Sequence, residues 1–257
     1  MSETYNKALE ISQGKLIAIL EGDDFWPPDK LEMQIPVFNR PEVVLSWGNS
    51  ASTNSSGKTE YFCNNNLKYK NKKQIIRKLL HRNFITACTA MCRKNALLKI
   101  GGFQQPQEVP LVDYPTWLEL SLVGEFKSID KVLGFWRRHP NQITEIMIED
   151  MMLAYNRCAN AFFQNLPQSI RNAIDLNESE MRKIYRYHNA SFNYFFARIN
   201  LSRHEWLDAR KKFNKALHDG TPAIKAKAFF GILCSYSEID METIALLMCK
   251  LRSRDFY

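Results

Sequence analysis

The stretch that decides the fold is residues 15–24, Lys15-Leu16-Ile17-Ala18-Ile19-Leu20-Glu21-Gly22-Asp23-Asp24. Residues 16–20 form an unbroken apolar run, which is typical of a strand buried on both faces of a parallel sheet covered by helices. Three acidic side chains follow directly, and open α/β sheets bind their ligands at the carboxyl ends of their strands. The sequence therefore predicts an α/β fold with a candidate site at Glu21, Asp23 and Asp24.

The acidic turn has the chemistry of a site for a hard cation. In an extended chain Glu21 and Asp23 project to the same side, so both carboxylates could bind one ion, while Asp24 points elsewhere and could bind a sugar hydroxyl or a second ligand position. Oxygen ligands suit Mg²⁺ or Mn²⁺, and such an ion can bridge two phosphates. The four residues 21–24 alone leave an alternative open, an acidic capping turn before a helix at Lys30.

The residues before this strand bear on where the sheet begins. Residues 2–12 predict a short helix with Ser2 at its N-cap and Gly14 after its end. Parallel neighbours of the strand would need crossover connections, and the fourteen residues before Lys15 are already used by that helix. We therefore expect the chain to begin in the middle of an α/β sheet, as a truncated form of its fold.

The rest of the chain divides into two parts. Helices are predicted at residues 30–38, 72–82, 94–100 and 114–123, strands at 43–47, 59–62, within 86–93 and within 126–137, and a loop or hairpin connection at 48–58. From about residue 146 the pattern is helical throughout, so we predict an α/β domain at residues 1–145 and a helical domain at 146–257. Residues 190–216 resemble one tetratricopeptide-type helix pair, which we expect to pack on neighbouring helices because one unit cannot bury its own face.

The net charge of +8 favours an anionic partner, such as a nucleotide diphosphate, nucleic acid or the headgroups of a membrane. The densest basic run is Lys68-Tyr69-Lys70-Asn71-Lys72-Lys73, with Arg77 and Lys78 after it. A solvated loop and helix face accounts for this run, and nucleic-acid binding there has only charge in its favour. We therefore do not expect nucleic acid as the partner.

Cysteine usage and hydropathy indicate an intracellular, non-spanning chain. The six cysteines (Cys63, Cys88, Cys92, Cys158, Cys234, Cys249) contain no C-x-x-C pair, which argues against a structural zinc site. No apolar signal region follows Met1, so free thiols in a reducing cytoplasm are the simpler expectation. No apolar run reaches the roughly 18 residues of a membrane span, and the nearest candidate, residues 226–249, is interrupted by acidic residues. We predict a cytoplasmic protein, at most in peripheral contact with the inner face of a membrane.

A series of short motifs, in order and spacing, resembles family 2 glycosyltransferases of the GT-A type. In residues 14–34 a D-x-D-like turn after a strand is followed by a W-x-P-x-K-L-x-x-Q-like continuation, Trp26 to Gln34. The later motifs are Asn83-Phe84-Ile85, Thr89-Ala90-Met91-Cys92-Arg93, Ile100-Gly101-Gly102-Phe103, Val112-Asp113-Tyr114-Pro115-Thr116-Trp117-Leu118 and Trp136-Arg137-Arg138-His139 with Thr144 following. The resemblance covers about residues 2–145.

The resemblance implies a partial GT-A (Rossmann-like) domain without its N-terminal nucleotide-binding strands, followed by an all-α region. It implies an inverting transfer of a sugar from a nucleotide-diphosphate donor to a hydroxyl of a glycan or other acceptor, as in polysaccharide biosynthesis. UDP-sugars are the expected donors. Asp23 and Asp24 would contact the metal and the sugar nucleotide, and Glu21 stands where the family usually has Asp. His139 could reach the Mg²⁺ or Mn²⁺ ion or a phosphate, and Asp113 would be the general base.

Several of these residues have an alternative role. Asp113 also suits the N-cap of the helix at Tyr114, and His139 could be an ordinary surface residue. Trp26, Trp117 and Trp136 could stack on an acceptor sugar or pack in the core. The competing function is that of a non-catalytic remnant that acts as a binding or scaffold protein through its basic helical tail.

Overall fold

The computed structural model describes residues 1–63, 71–106 and 109–240. These residues belong to two compact units, Met1–Asn177 and Glu178–Tyr257. The first combines a five-stranded sheet with helices, and the second is helical where it is described. The predicted class, an α/β domain followed by an all-α region, is confirmed.

The first unit contains five strands and eight α-helices among the described residues. The strands are β1 (Leu16–Ala18), β2 (Val43–Thr53), β3 (Thr59–Cys63), β4 (Met91–Arg93) and β5 (Glu125–Arg137). The helices are α1 (Ser2–Ile11), α2 (Lys30–Gln34), α3 (Lys72–His81), α4 (Lys94–Lys99), α5 (Asp113–Val123), α6 (Ile143–Ile146), α7 (Ile148–Asn165) and α8 (Gln168–Ile174). Two 3₁₀ helices, Ile35–Asn39 and Ala87–Thr89, complete the unit.

The sheet is mixed, with the order β1-β4-β2-β3 and β5 alongside β2. Only the β2–β5 pair is parallel among the described strands, and the other pairs are antiparallel. Strand β2 is central and almost wholly buried. The predicted loop or hairpin connection at residues 48–58 begins later than expected, because residues 48–53 continue β2 and residues 54–58 join it to the antiparallel strand β3. Partners along this length of β2 outweigh the low strand propensity of its Gly, Asn and Ser residues.

Strand β1 corrects the prediction of a doubly buried strand in a parallel sheet. It has three residues of intermediate burial and, within the described residues, pairs with β4 alone, antiparallel, at the end of the sheet. Leu16 and Ala18 pack against a small core cluster of Phe38, Val43 and Met91, whereas Leu20 is 48% exposed. The apolar run therefore forms a short edge strand of intermediate burial, followed by a buried Ile19 and an exposed Leu20.

Helices α7 and α8 belong to the first unit, since they pack against α3 and α5. The change from strands to helices follows β5, near the predicted residue 145, but the first unit continues to Asn177. The division into residues 1–145 and 146–257 stays a prediction.

The second unit contains α9 (Glu178–Ser202), α10 (Trp206–Asp219) and α11 (Pro222–Ser237). Its core consists of small and aromatic residues, including Ala197, Ala209, Phe213 and Ala216. A Cβ at Gly231 would lie 2.3 Å from the Phe213 ring, so glycine permits the close approach of α11 to α10. Helices α9 and α10 form an adjacent pair within the predicted tetratricopeptide-like stretch.

The described part of the chain contains no helix with the length and apolarity to cross a membrane. Its five described cysteines are free thiols. In the basic run, Lys72 and Arg77 donate to backbone carbonyls of Leu122 and Ile174, respectively, at 2.5 and 3.0 Å. Lys68 and Lys70, Cys249 and residues 241–249 of the apolar candidate lie outside the described residues.

Candidate functional site

The acidic turn is held between the end of β5 and the 3₁₀ helix at Ala87–Thr89. Phe25 and Phe135 exchange backbone hydrogen bonds of 3.2 and 2.8 Å, and their rings stack with centroids 4.6 Å apart. The Trp26 indole N–H donates to the Cys88 carbonyl over 2.8 Å. The aromatic residues after the turn therefore fix its position by contacts with residues distant in sequence.

Glycine at position 134 permits this assembly. A Cβ at Gly134 would lie 2.7 Å from Cys88 Sγ, closer than any side chain can approach without a shift. Burial raises the pKa of the Cys88 thiol well above its usual range, so the thiol stays protonated and can donate to the Asp24 carboxylate with which it is hydrogen-bonded. The close packing of β5 on Cys88 thus places the Cys88 thiol against Asp24 of the turn.

Asp23 and His139, two of the predicted metal ligands, lie next to one another in the structure. Asp23 Oδ2 lies 3.1 Å from His139 Nε2 and accepts a longer hydrogen bond, 3.4 Å, from the Gln142 amide. The Arg137 Nε donates to the Asp23 carbonyl over 2.9 Å. The segment after β5 therefore binds the acidic turn through both the backbone and the side chain of Asp23.

Asp24 is bound at the end of β5. Its Oδ1 accepts the backbone N–H of Arg137 at 3.0 Å. Burial raises the pKa of Asp24 to about 6, although the hydrogen bond from the Arg137 backbone opposes this shift. A carboxyl group of this kind changes its protonation close to neutral pH.

Glu21 is bound by a residue that the sequence did not single out. The Tyr5 hydroxyl, on α1, donates to Glu21 Oε1 at 2.6 Å, and the Tyr5 ring packs edge-on against Phe103. Glu21 Oε2 is buried without a hydrogen-bond partner, and burial raises the pKa of this carboxyl group. Within the described residues, no three His, Cys, Asp or Glu side chains are grouped so as to hold a metal ion. Of the predicted metal ligands Glu21, Asp23 and His139, the structure thus brings only Asp23 and His139 together.

Asp113 begins α5, with Val112 as the N-cap residue, so Asp113 is the first helical residue and not the cap. Its Oδ2 accepts a 2.7 Å hydrogen bond from Asn83 Nδ2, and its carboxylate also accepts the backbone N–H of Tyr114. Burial raises the pKa of Asp113 to about 6, with a smaller contribution from the Glu21 carboxylate. Asp113 is therefore a partly exposed carboxylate that is mostly ionised at neutral pH and able to accept a proton.

Asp113 and the acidic turn influence one another electrostatically. The Glu21, Asp113 and Asp24 carboxylates all contribute to raising the pKa of the Tyr5 phenol well above its usual range, after burial as the main cause. Carboxyl groups of the acidic turn and of α5 therefore act on the same neutral phenol. The arrangement combines acidic groups at a turn with a carboxylate that can act as a base.

The tryptophans differ in their exposure. Trp117 is fully buried in the core and is not available to stack on an acceptor. Trp26 and Trp136 are partly exposed, and the Arg138 guanidinium lies over the Trp136 ring at 5.7 Å. Trp117 therefore takes the packing role, one of its two expected alternatives.

Sequence reasoning did not find five residues of the site, namely Tyr5, Asn83, Cys88, Gln142 and Tyr155. Asn83 and Cys88 lie within or beside motifs quoted above, but their partners become visible only in the folded chain. Tyr5 and Gln142 contact the acidic turn from outside those motifs. An aromatic hydroxyl on α1 carries no sequence signal for a partner sixteen residues later.

Comparison with known proteins gives one family and several solved structures. Residues 1–101 match the family described as "Glycosyl transferase family 2". The crystal structure of S. aureus TarS 1-349 is 13% identical and has a TM-score of 0.49, with 95% of this chain and 71% of that chain covered. The same fragment in complex with UDP-GlcNAc is also 13% identical with a TM-score of 0.49, covering 93% and 70%. No curated protein sequence matches the chain.

Proposed function

Because residues 1–101 of this chain belong to glycosyltransferase family 2, we propose that it is an inverting glycosyltransferase. It would move a sugar from a nucleotide-diphosphate donor to a hydroxyl of a glycan or other acceptor. The observation that supports this most is Asp113, a partly exposed carboxylate with a pKa of about 6 that lies within electrostatic range of the acidic turn. Asp113 lies outside the matched residues 1–101, and it is the residue that the resemblance implies as the general base.

The proposed reaction uses Asp113 as the general base. The Asp113 carboxylate takes the proton of the acceptor hydroxyl as that oxygen attacks the anomeric carbon from the face opposite the diphosphate. The new C–O bond forms while the bond from the anomeric carbon to the phosphate oxygen breaks, so the configuration inverts. The proton ends on Asp113, and the electron pair leaves with the nucleoside diphosphate.

Asp23 and His139 fit a metal ion that arrives with the donor. They place a carboxylate oxygen and an imidazole nitrogen 3.1 Å apart, and Mg²⁺ is commonly bound by one or two carboxylates together with substrate phosphates and waters. The buried, unpartnered Oε2 of Glu21 is a further oxygen of the same turn. When bound, Mg²⁺ or Mn²⁺ would neutralise the charge that develops on the leaving diphosphate. Asp24 would contact the sugar nucleotide.

The donor, acceptor and cellular setting stay predictions. UDP-sugars are the first donors to test, and a glycan of a cell-surface polysaccharide is the expected acceptor class. Donor binding is to be measured up to high donor concentrations. Peripheral contact with an anionic membrane surface is proposed from the chain's net positive charge of +8, and a cytoplasmic location stays a prediction.

The direct test is calorimetric titration of the full chain with a panel of UDP-sugars, with and without Mn²⁺, alongside an assay of donor hydrolysis or transfer. We expect metal-dependent binding that Asp23→Ala weakens and turnover that Asp113→Ala abolishes. Asp29→Asn is the matched control, since Asp29 is an exposed N-cap of α2 whose side chain makes no capping hydrogen bond. Absence of metal-dependent binding, with both alanine variants behaving like the parent, would support the non-catalytic binding or scaffold protein instead.

A further inference from the structure

Both polar atoms of the Asn83 side chain form hydrogen bonds, one of them with Asp113. Asn83 Nδ2 donates to Asp113 Oδ2 over 2.7 Å, while Asn83 Oδ1 accepts the backbone N–H of Ile85 over 3.1 Å. Rotating the amide by half a turn would place Oδ1 against the carboxylate and the NH₂ group against an N–H. Both contacts would then be repulsive, so the chemistry of its neighbours fixes the orientation of the amide.

The backbone that carries Asn83 is anchored in the core. Phe84 and Ile85, the next two residues, are 4% and 1% exposed. The Phe84 ring packs on Trp47 of the central strand β2, with centroids 5.6 Å apart. Asn83 therefore contacts Asp113 from a backbone segment that is fixed in the core. A residue that positions another side chain needs such a fixed backbone.

Helix α7 places Tyr155 beside Asn83 and the start of α5. The Tyr155 ring packs on Tyr114, the residue after Asp113, with centroids 4.8 Å apart, and the Tyr114 hydroxyl donates to the Leu79 carbonyl over 2.7 Å. Asn83 opposes the rise that burial causes in the pKa of the Tyr155 phenol. Tyr155 is thus held by aromatic packing next to the amide that contacts Asp113.

We propose that Asn83 and Tyr155 are the positioning residues of Asp113, and that helix α7 thereby completes the site of the base. This inference rests on the proposed function, in which Asp113 takes the acceptor's proton. Neither residue needs to touch the substrate. Asn83 orients the carboxylate and favours its ionised form, and Tyr155 keeps Asn83 in the orientation that does so. Tyr155 lies beyond residues 1–101, so the matched segment does not contain the whole site.

The titratable groups that face Asp113 come from four parts of the fold. They are Glu21 after β1, Tyr5 on α1, Tyr114 on α5 and Tyr155 on α7, with Cys158 near the last two. Burial raises the pKa of each of the three tyrosines above its usual range, so they are neutral near pH 7. Glu21 is the neighbour that can add negative charge, and it is unaltered in the variants below.

The experiment measures the pKa of Asp113 directly in the full chain. Protein labelled with ¹³C at the aspartate carboxyl groups is titrated by NMR, and the Asp113 signal is assigned from its loss in Asp113→Asn. The test variants are Asn83→Ala and Tyr155→Phe. The control is Ser121→Ala, which removes a buried hydroxyl from the same helix α5, where it donates to the Leu118 carbonyl.

We expect Asn83→Ala to raise the pKa of Asp113, because a donor to the ionised carboxylate is lost, and Tyr155→Phe to raise it less. Transfer should fall on the order of 10²-fold in kcat for Asn83→Ala and about 10-fold for Tyr155→Phe, with the donor KM unchanged. Raising the pH should recover part of the loss. Ser121→Ala should change neither the pKa nor kcat.

Unchanged Asp113 titration in both test variants would overturn the inference, whatever happens to their activity. The same holds if the control moves the Asp113 signal as far as Asn83→Ala does. The readout does not depend on turnover. If the pKa moves as expected but no variant or parent transfers sugar, the positioning stands and the proposed function fails.

Discussion

The acidic turn and Asp113 hold their carboxylates in different ways. In the turn, each carboxylate has a partner from a different element: Tyr5 of α1 for Glu21, His139 after β5 for Asp23, and the Arg137 backbone for Asp24. At Asp113, a single carboxylate accepts hydrogen bonds from neutral donors, the Asn83 amide and the Tyr114 backbone. Both Asp24 and Asp113 nevertheless have a pKa of about 6, in each case mainly because of burial.

This difference suits the acidic turn to binding the donor and Asp113 to proton transfer. A turn in which a carboxylate and an imidazole meet is suited to share a cation, and its contacts depend on residues more than a hundred positions apart. At Asp113, burial raises the pKa of the carboxyl group, while the neutral donors around it fix its direction and favour its ionised form. Substitutions in the turn should therefore weaken donor binding, and substitutions at Asp113 should slow proton transfer.

The largest effect is expected for Asp113→Asn, which keeps the shape of the side chain and removes its basicity. General-base catalysis contributes roughly 10²–10⁴-fold to a rate, so kcat should fall by that order. Donor binding by calorimetry should match the parent, because the acidic turn is unaltered. A variant that retains kcat within about threefold of the parent would show that another group takes the proton.

The next effect should be on metal-dependent donor binding, through Asp23→Asn and His139→Ala. If the two side chains share one ion, each substitution should weaken Mn²⁺-dependent binding about 10–100-fold, and the double variant should lose little more than either single variant. Calorimetry at fixed Mn²⁺ measures this coupling. Asp29→Asn again serves as the control, and strictly additive losses would indicate that Asp23 and His139 act separately.

The sequence was sufficient for those parts of the site that local pattern determines. The acidic residues after an apolar run and the Asp at a helix start are visible as spacing, and both are where the motifs predict. The extension of β2 through Ser50 and Ser52 was not visible, because strand partners on either side override weak local propensity. The burial of β1 was overestimated, because an apolar run does not reveal how many of its sides are covered.

The contacts that orient the carboxylates were also beyond reach of the sequence. Tyr5 and Asn83 donate hydrogen bonds to carboxylates on other elements, and Tyr155 packs on Tyr114 beside Asp113. Asn83 lies in a quoted motif, but the motif does not name its partner, and Tyr5 and Tyr155 lie outside the motifs. Gly134 is a similar case, because the need for glycine at this position is visible only when β5 is seen to pack directly against Cys88.

A smaller effect concerns the pH dependence of the base. Since the pKa of Asp113 is raised to about 6 and its ionised form is the active one, kcat/KM of the parent should rise with pH and reach half its plateau near that value. Asn83→Asp replaces a neutral donor by a carboxylate, and a like charge disfavours ionisation, so the midpoint should move to higher pH. Initial rates from pH 5 to 9 test this, with Ser121→Ala as the reference. If the midpoint does not move in Asn83→Asp, the rise of kcat/KM with pH reports the ionisation of a group other than Asp113.

The smallest effect on turnover is expected at Tyr5, which holds Glu21 and does not itself react. Tyr5→Phe leaves a second Glu21 oxygen without a partner beside the already unpartnered Oε2, and an unsatisfied buried acceptor costs about 1–3 kcal/mol in the free energy of unfolding. The cost arises from the partner left behind, so it should nearly vanish when Glu21 is replaced as well by leucine. Urea unfolding of the parent, Tyr5→Phe, Glu21→Leu and the double variant gives the coupling free energy. If the two single losses simply add, the hydroxyl does not hold Glu21, and the orientation of the turn must come from Asp23 and Asp24 alone.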